Sequence, residues 1–202
     1  MPVLEVTQLQ LKGIPANDPQ LLRSLSDVRD KLQTKSQYYS CIEDPTKLYI
    51  LGIWRDMQQH LDFLASPTRD EVLGPQEDML DFRWTVHMKL DSISVLPLDA
   101  PVLALERLQV GADGSVAFDQ AATKHVQHLQ GSHNCKVAYG WRCDAKSRGH
   151  EALIFSGWEN AQAHVSFRAR QQDNGDSNSA IILGEYEELL VHHATNLERG
   201  AA

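Results

Sequence analysis

Two imidazoles in this chain keep the same company. His60 follows Trp54 by six residues and precedes Phe63 by three, and His164 stands in the same relation to Trp158 and Phe167. With nine His and five Phe among 202 residues, a given Trp is followed this way by chance roughly once in a thousand, so the offset of 104 residues marks an internal repeat. A neutral imidazole near pH 7 suits abstraction of a proton from a phenol or an enolisable carbon, the first step of cofactor-free oxygenation and of aldol-type cyclisation. The same pattern serves a structural reading. His60 sits beside the apolar stripe Met57, Leu61, Leu64, where a hydrogen-bonded, inert His is equally at home. Trp54 and Trp158 offer flat walls to an aromatic substrate, or simple core packing.

The elements that must position these groups repeat as well. Val3–Leu11 alternates as a half-buried strand. Asp18-Pro19 then reads as an N-cap and first helical position ahead of Leu21, Leu22, Leu25, Val28 and Leu32 at helical spacing. Gln37–Glu43 and Leu48–Trp54 form a hairpin across the turn Asp44-Pro45-Thr46. The helix with His60 closes at Ser66-Pro67, and a Gly/Pro stretch leads to the alternating strand Asp81–Leu90. The order β-α-β-β-α-β is the split βαβ pattern of a ferredoxin-like sheet. The Pro-rich run 92–100 reads as a linker, and a second round follows. Its elements are a strand Val102–Val110, a turn Gly111–Gly114, a helix Val116–Gln130, a hairpin of Cys135–Cys143 with Glu151–Trp158 around Lys146–His150, the second His-bearing helix, a loop Gln171–Ser179 and a strand Gly184–His193. The expected domains are residues 1–91 and 101–202.

The fourth strand of the first copy places Phe82, Trp84, Val86 and Met88 on one face and Arg83, Thr85, His87 and Lys89 on the other. On an enclosed face Arg83 could stabilise an enolate or phenolate beside His87; on a wet face both are solvent-facing charges. The corresponding strand of the second copy carries Glu185, Glu187 and Glu188 and ends in His192-His193, whose side chains point to opposite faces and cannot serve one ligand together. Tyr38, Tyr39, Tyr139 and Trp141 on the second strands line a pocket or fill positions that favour aromatics.

The run GIWRDMQQHLDFLASP, a strand ending in Trp followed by a helix and a Ser-Pro step, resembles the antibiotic-biosynthesis-monooxygenase type of dimeric α/β barrel, here as two tandem copies. The resemblance implies an α+β fold of tandem ferredoxin-like repeats forming an intramolecular barrel. It also implies activity without a cofactor on an aromatic or polyketide-like small molecule of secondary metabolism, either monooxygenation or a redox-neutral cyclisation, isomerisation or decarboxylation. Trp54 and Trp158 match the family Trp. The family His nine residues beyond it is replaced by Phe63 and Phe167, a second His after the Pro by Thr68, and the His of haem-degrading members by Leu64 and Arg168. Those departures speak against haem and admit an alternative, a non-catalytic barrel that binds a hydrophobic ligand or serves a stress response.

Composition narrows the rest. A net charge of −8 without a basic run speaks against nucleic-acid and membrane-surface partners. Cys41, Cys135 and Cys143 form no metal or CxxC spacing, and the His set has no carboxylate at helical spacing, so no metal is expected. No GxSxG, GxGxxG or Walker-type run occurs. The start MPVLEVTQLQLKG lacks the marks of a signal peptide, and the expected location is the cytoplasm. The expected site thus has His60, His164, His87 and Arg83 as catalytic candidates. Trp54, Trp84, Phe63, Trp158, Phe167, Tyr39 and Trp141 are its substrate-binding candidates. The chain is expected as a monomer with an internal pseudo-dimer or as a homodimer.

Overall fold

The structure, a computed structural model, describes residues 1–111, 115–133, 136–144, 150–173 and 186–199. The chain divides into two compact units, Met1–Ile93 with Thr195–Ala202, and Ser94–Ala194. Unit 1 contains β1 (Val3–Leu11), α1 (Pro19–Leu32), β2 (Gln37–Cys41), β3 (Lys47–Trp54), α2 (Met57–Leu64), α3 (Arg69–Leu73) and β4 (Leu80–Lys89). Unit 2 contains β5 (Val102–Val110), α4 (Ser115–His133), β6 (Val137–Trp141), β7 (His150–Trp158) and α5 (Ala161–Asp173). It also holds β8 (Tyr186–Asn196) as far as Ala194. The strands are antiparallel, in the order β4-β1-β3-β2 in unit 1 and β8-β5-β7-β6 in unit 2. This is the tandem ferredoxin-like α+β arrangement that the repeat implied.

Local signals explain most boundaries. The Asp18 side chain accepts from the backbone N–H groups of Gln20 and Leu21, with Pro19 at the first helical position. Val3, Glu5, Thr7, Leu9 and Leu11 share one face of β1. Leu9 and Leu11 join Leu21, Leu25, Tyr38, Leu48 and Leu80 in the helix-side core of unit 1. In unit 2 the equivalent core gathers Ala104, Leu108, Phe118, Ile154, Trp158 and Phe167. The Gly/Pro stretch before β4 holds the short α3 and a 3-10 turn over Gly74–Gln76, and the linker holds a 3-10 turn over Ile93–Val95. Gln171–Asp173 extend α5 where a loop was expected; the rest of that loop, residues 112–114 and 145–149, and the start of the last strand at Gly184 lie outside the described residues.

Each first strand carries a bulge in its pairing with the fourth, between Gln8 and Leu9 and between Arg107 and Leu108. In unit 1 the bulge skips Arg83 and sets Phe82 opposite Leu9, so Phe82 leaves the face of Trp84 that simple alternation assigned to it.

Cys41 ends β2, and burial pushes its thiol up to about 11. The raised value means that burial of the neutral thiol stabilises the fold below about pH 9 and that this contribution fades as pH climbs towards 11. Cys143 is exposed. Iodoacetamide at pH 8 is therefore expected to label Cys143 readily and to leave Cys41 unlabelled until denaturant is added, as peptide mass mapping will read.

Candidate functional site

Two residues beyond each Trp stands a capping side chain, Asp56 for α2 and Asn160 for α5, and each accepts the backbone N–H three residues on, from Gln59 and Ala163. The Gln59 N–H, with help from Arg55, holds the Asp56 carboxyl below the usual carboxylate range. Because the cap fixes where the helix starts, the residue six beyond the Trp lands one turn in, against the sheet. His60 is 4% exposed and His164 3%. The Trp54 and His60 rings stack at 4.6 Å and 29°, with Phe63 stacked on the other contact of Trp54 at 6.0 Å. Trp158 packs on His164 at 4.9 Å and on Phe167 at 5.4 Å.

Each His then meets a second His from the fourth strand. His60 Nδ1 lies 2.8 Å from His87 Nε2, and His164 Nδ1 lies 2.9 Å from His193 Nε2. The other nitrogen faces a carboxylate from the first strand: His60 Nε2 is 3.5 Å from Glu5 Oε2, and His164 Nε2 is 3.5 Å from Glu106 Oε1. Each unit thus builds a buried carboxylate–His–His chain from three elements. Such a chain can take up a proton at one end while the carboxylate offsets the charge, which a lone buried imidazole could do only at a large desolvation cost.

The two chains differ in where the acid stands. Glu5 and Ala104 hold the same register, since each pairs with the inward His of the fourth strand, His87 or His193. Glu106 occupies the register of Thr7, one same-face step further along the strand. The Trp N–H is satisfied differently as a result. Trp54 Nε1 donates to Glu5 Oε2 at 2.6 Å, whereas Trp158 Nε1 donates to Ser156 Oγ at 2.7 Å. Ser156 takes the register of Gly52, where a Cβ would lie 3.1 Å from Glu5 Oε2 and 3.3 Å from Trp54 Nε1.

The remaining sequence candidates fall elsewhere. Arg83, in the bulge, is exposed and apart from the His chain. Trp84 and Tyr39 flank Tyr49 on the opposite face of the sheet, with Trp84 6.1 Å from the Tyr49 ring. Trp141 lies under α4, near Phe118, and donates to Asp119 Oδ1 at 3.1 Å. Tyr139 donates to the same oxygen at 2.9 Å. Glu5, Glu106 and His193 were not among the candidates. An acid inside an otherwise apolar alternation was the signal available for the two glutamates, and for His193 it was position on the inward face of the last strand.

In unit 2 a cavity of about 760 Å³ opens beside this centre, lined by Pro97, Lys136, Trp158, Ala163, Ser166 and Arg170 among others. Trp158 therefore borders both the cavity and His164. The linker reaches in so closely that a Cβ on Gly157 would meet Ala100 at 2.7 Å and Pro97 at 2.9 Å.

No protein-family model matches the chain, and no curated protein does. Among solved structures it is similar to a candidate monooxygenase from Lactobacillus acidophilus at 12% identity, covering 97% of this chain and 94% of that one with a TM-score of 0.66. An anthrone oxidase-like protein aligns at 14% identity over 99% and 95% with a TM-score of 0.66. A dye-decolorizing protein from V. cholerae aligns at 7% over 96% and 93% with a TM-score of 0.62. At these identities the likeness is one of fold. Among the described residues no helix is long and apolar enough to cross a membrane.

Proposed function

We propose that the protein is a small-molecule enzyme of the oxygenase-like kind, akin to the antibiotic-biosynthesis-monooxygenase type, working without an organic cofactor on an aromatic or polyketide-like substrate in secondary metabolism, with unit 2 as its working half. The observation that carries this reading is the sequence cavity, Trp158, His164, His193, Glu106 within one unit. A planar substrate lies against Trp158, and its phenolic or enolisable proton passes to His164 Nε2, the nitrogen that faces Glu106 at 3.5 Å, while Nδ1–H donates to His193. His164 is then the catalytic residue. His193 and Glu106 are positioning residues that hold its ring and balance the imidazolium. Once the substrate anion forms, it is open either to O₂ or to redox-neutral rearrangement.

An oxygen electrode with a panel of phenolic anthrone-like and enolisable substrates tests this. Uptake of one O₂ per substrate consumed is the expected result, and substrate conversion without uptake would move the reading to cyclisation, isomerisation or decarboxylation. The burial of His164 favours one other reading, a barrel that binds a hydrophobic ligand without turning it over. On that reading Trp158 fluorescence is quenched by the ligand and no substrate is converted.

A further inference from the structure

The first unit carries a chain of the same groups with its acid directly opposite the strand His, and it bears a different consequence. Glu5 from β1, His60 from α2 and His87 from β4 each bring one ligand atom to within 4.8 Å of the others, and among the described residues no other set of three His, Cys, Asp or Glu does so. We infer that Glu5, His60 and His87 form a binding site for a divalent first-row transition-metal ion.

The donor set selects the class of ion. Two imidazoles and one carboxylate suit zinc, iron(II), cobalt or nickel, and not calcium or magnesium, which favour all-oxygen shells. The two imidazoles stand near the spacing of a filled site, whereas Glu5 faces the other ring nitrogen of His60, 3.5 Å from Nε2. Ligands on one tetrahedral ion at about 2.1 Å stand roughly 3.4 Å apart, and the imidazole nitrogens of His60 and His87 are already 2.8 Å apart. Two nitrogens that close need a proton or a cation between them, so the ion takes the place of a proton. The group that has to move is Glu5, which swings from the Nε2 edge of His60 to the Nδ1 edge facing His87; it is the least buried of the three, with 16% of its side chain exposed.

The surroundings keep the Glu5 carboxylate beside the His pair. Glu5 Oε1 accepts from Thr7 Oγ1 at 2.6 Å, Thr7 is itself bonded to Thr85 Oγ1 at 2.8 Å, and Glu5 Oε2 accepts from Trp54. Hydrogen-bonded carboxylates of this kind are the usual outer support of a metal ligand. Gly52 leaves the space that this carboxylate fills, and the stacked indole fixes the plane of the His60 ring. Unit 2 places its acid in another register: Ala104 stands in the register of Glu5, Ser156 in that of Gly52, and Glu106 is one step displaced. The inference is independent of the proposed turnover in unit 2.

Isothermal titration of the chelator-stripped full-length protein with ZnCl₂ tests it, with Co²⁺ visible absorption as a second readout. The expected result is one Zn²⁺ per chain. Glu5→Gln and His87→Gln should each weaken it by more than the roughly 10–100-fold that loss of a ligand's outer support costs, and Glu106→Gln should leave it unchanged. Glu5→Gln keeps an amide oxygen to accept from Trp54 while its NH2 can donate to the Thr7 hydroxyl, so it is the variant that folds if His87→Gln does not. No stoichiometric binding, binding that survives both first-unit variants, or equal loss in Glu106→Gln would each overturn the inference. None of these readouts depends on catalysis, so failure here and failure of the proposed activity are separable.

Discussion

His164→Ala is expected to lower kcat on a phenolic substrate by roughly 10²–10⁴-fold, the range that a positioned general base supplies, while the variant stays folded by circular dichroism. Added imidazole should restore part of the rate, because the deletion leaves a ring-sized space beside Trp158. His193→Gln keeps a hydrogen-bonding partner for His164 Nδ1 but cannot take up positive charge. Its kcat should fall less, by about tenfold or 1.4 kcal/mol of barrier, with KM unchanged, and His193→Ala should be worse than His193→Gln. A structural role predicts a different pattern: both variants would lower the melting temperature and leave the rate per folded molecule untouched. A ligand-binding role predicts unchanged affinity in His164→Ala, since the wall that meets the ligand is Trp158. Steady-state kinetics on the two His variants, set beside their thermal melts, therefore distinguishes the three.

The repeat and the helix starts were legible in the sequence because they depend on short spacings. Trp, His and Phe stand at fixed offsets along one strand–helix turn, and nothing distant can alter them. The correspondence between the two acids was not legible, for a geometric reason. The corresponding positions are offset by 99 residues for Val3 and Val102, by 104 for the Trp pair and by 106 for His87 and His193. Loop lengths differ between the copies, so no single shift aligns them. Even in correct register Glu5 corresponds to Ala104, and the acid of unit 2 stands where unit 1 has Thr7. Only the sheet, which brings β1 and β4 or β5 and β8 together, makes the two clusters comparable. Arg83 looked like a partner of His87 by strict alternation, and the bulge opposite Gln8 and Leu9 removes it from that series. A bulge is decided by pairing between strands some 75 residues apart, which no local pattern reveals.

Because the two units solve the Trp N–H differently, each contains the control for the other. Glu5→Ala leaves Trp54 Nε1 and Thr7 Oγ1 without the acceptor that they share, next to a Trp that is 4% exposed. An orphaned buried donor costs about 1–3 kcal/mol, and urea unfolding should show that loss. Gly52→Ser alone should also destabilise, since its Cβ would press on the Glu5 carboxylate. The double variant Glu5→Ala with Gly52→Ser reproduces the Ala104 and Ser156 pair of unit 2, where the hydroxyl accepts the indole N–H at 2.7 Å. Its stability is expected to recover at least half of the Glu5→Ala loss, so the cycle is strongly non-additive. Zn²⁺ binding should not recover, because the serine hydroxyl replaces the hydrogen bond and not the ligand. Recovery of both would mean that the carboxylate has no part in binding the ion, and recovery of neither would mean that the two registers are not equivalent. Stability regained without the metal is the outcome that assigns Glu5 two separable tasks: an acceptor for Trp54, which a serine can replace, and a charged ligand, which it cannot.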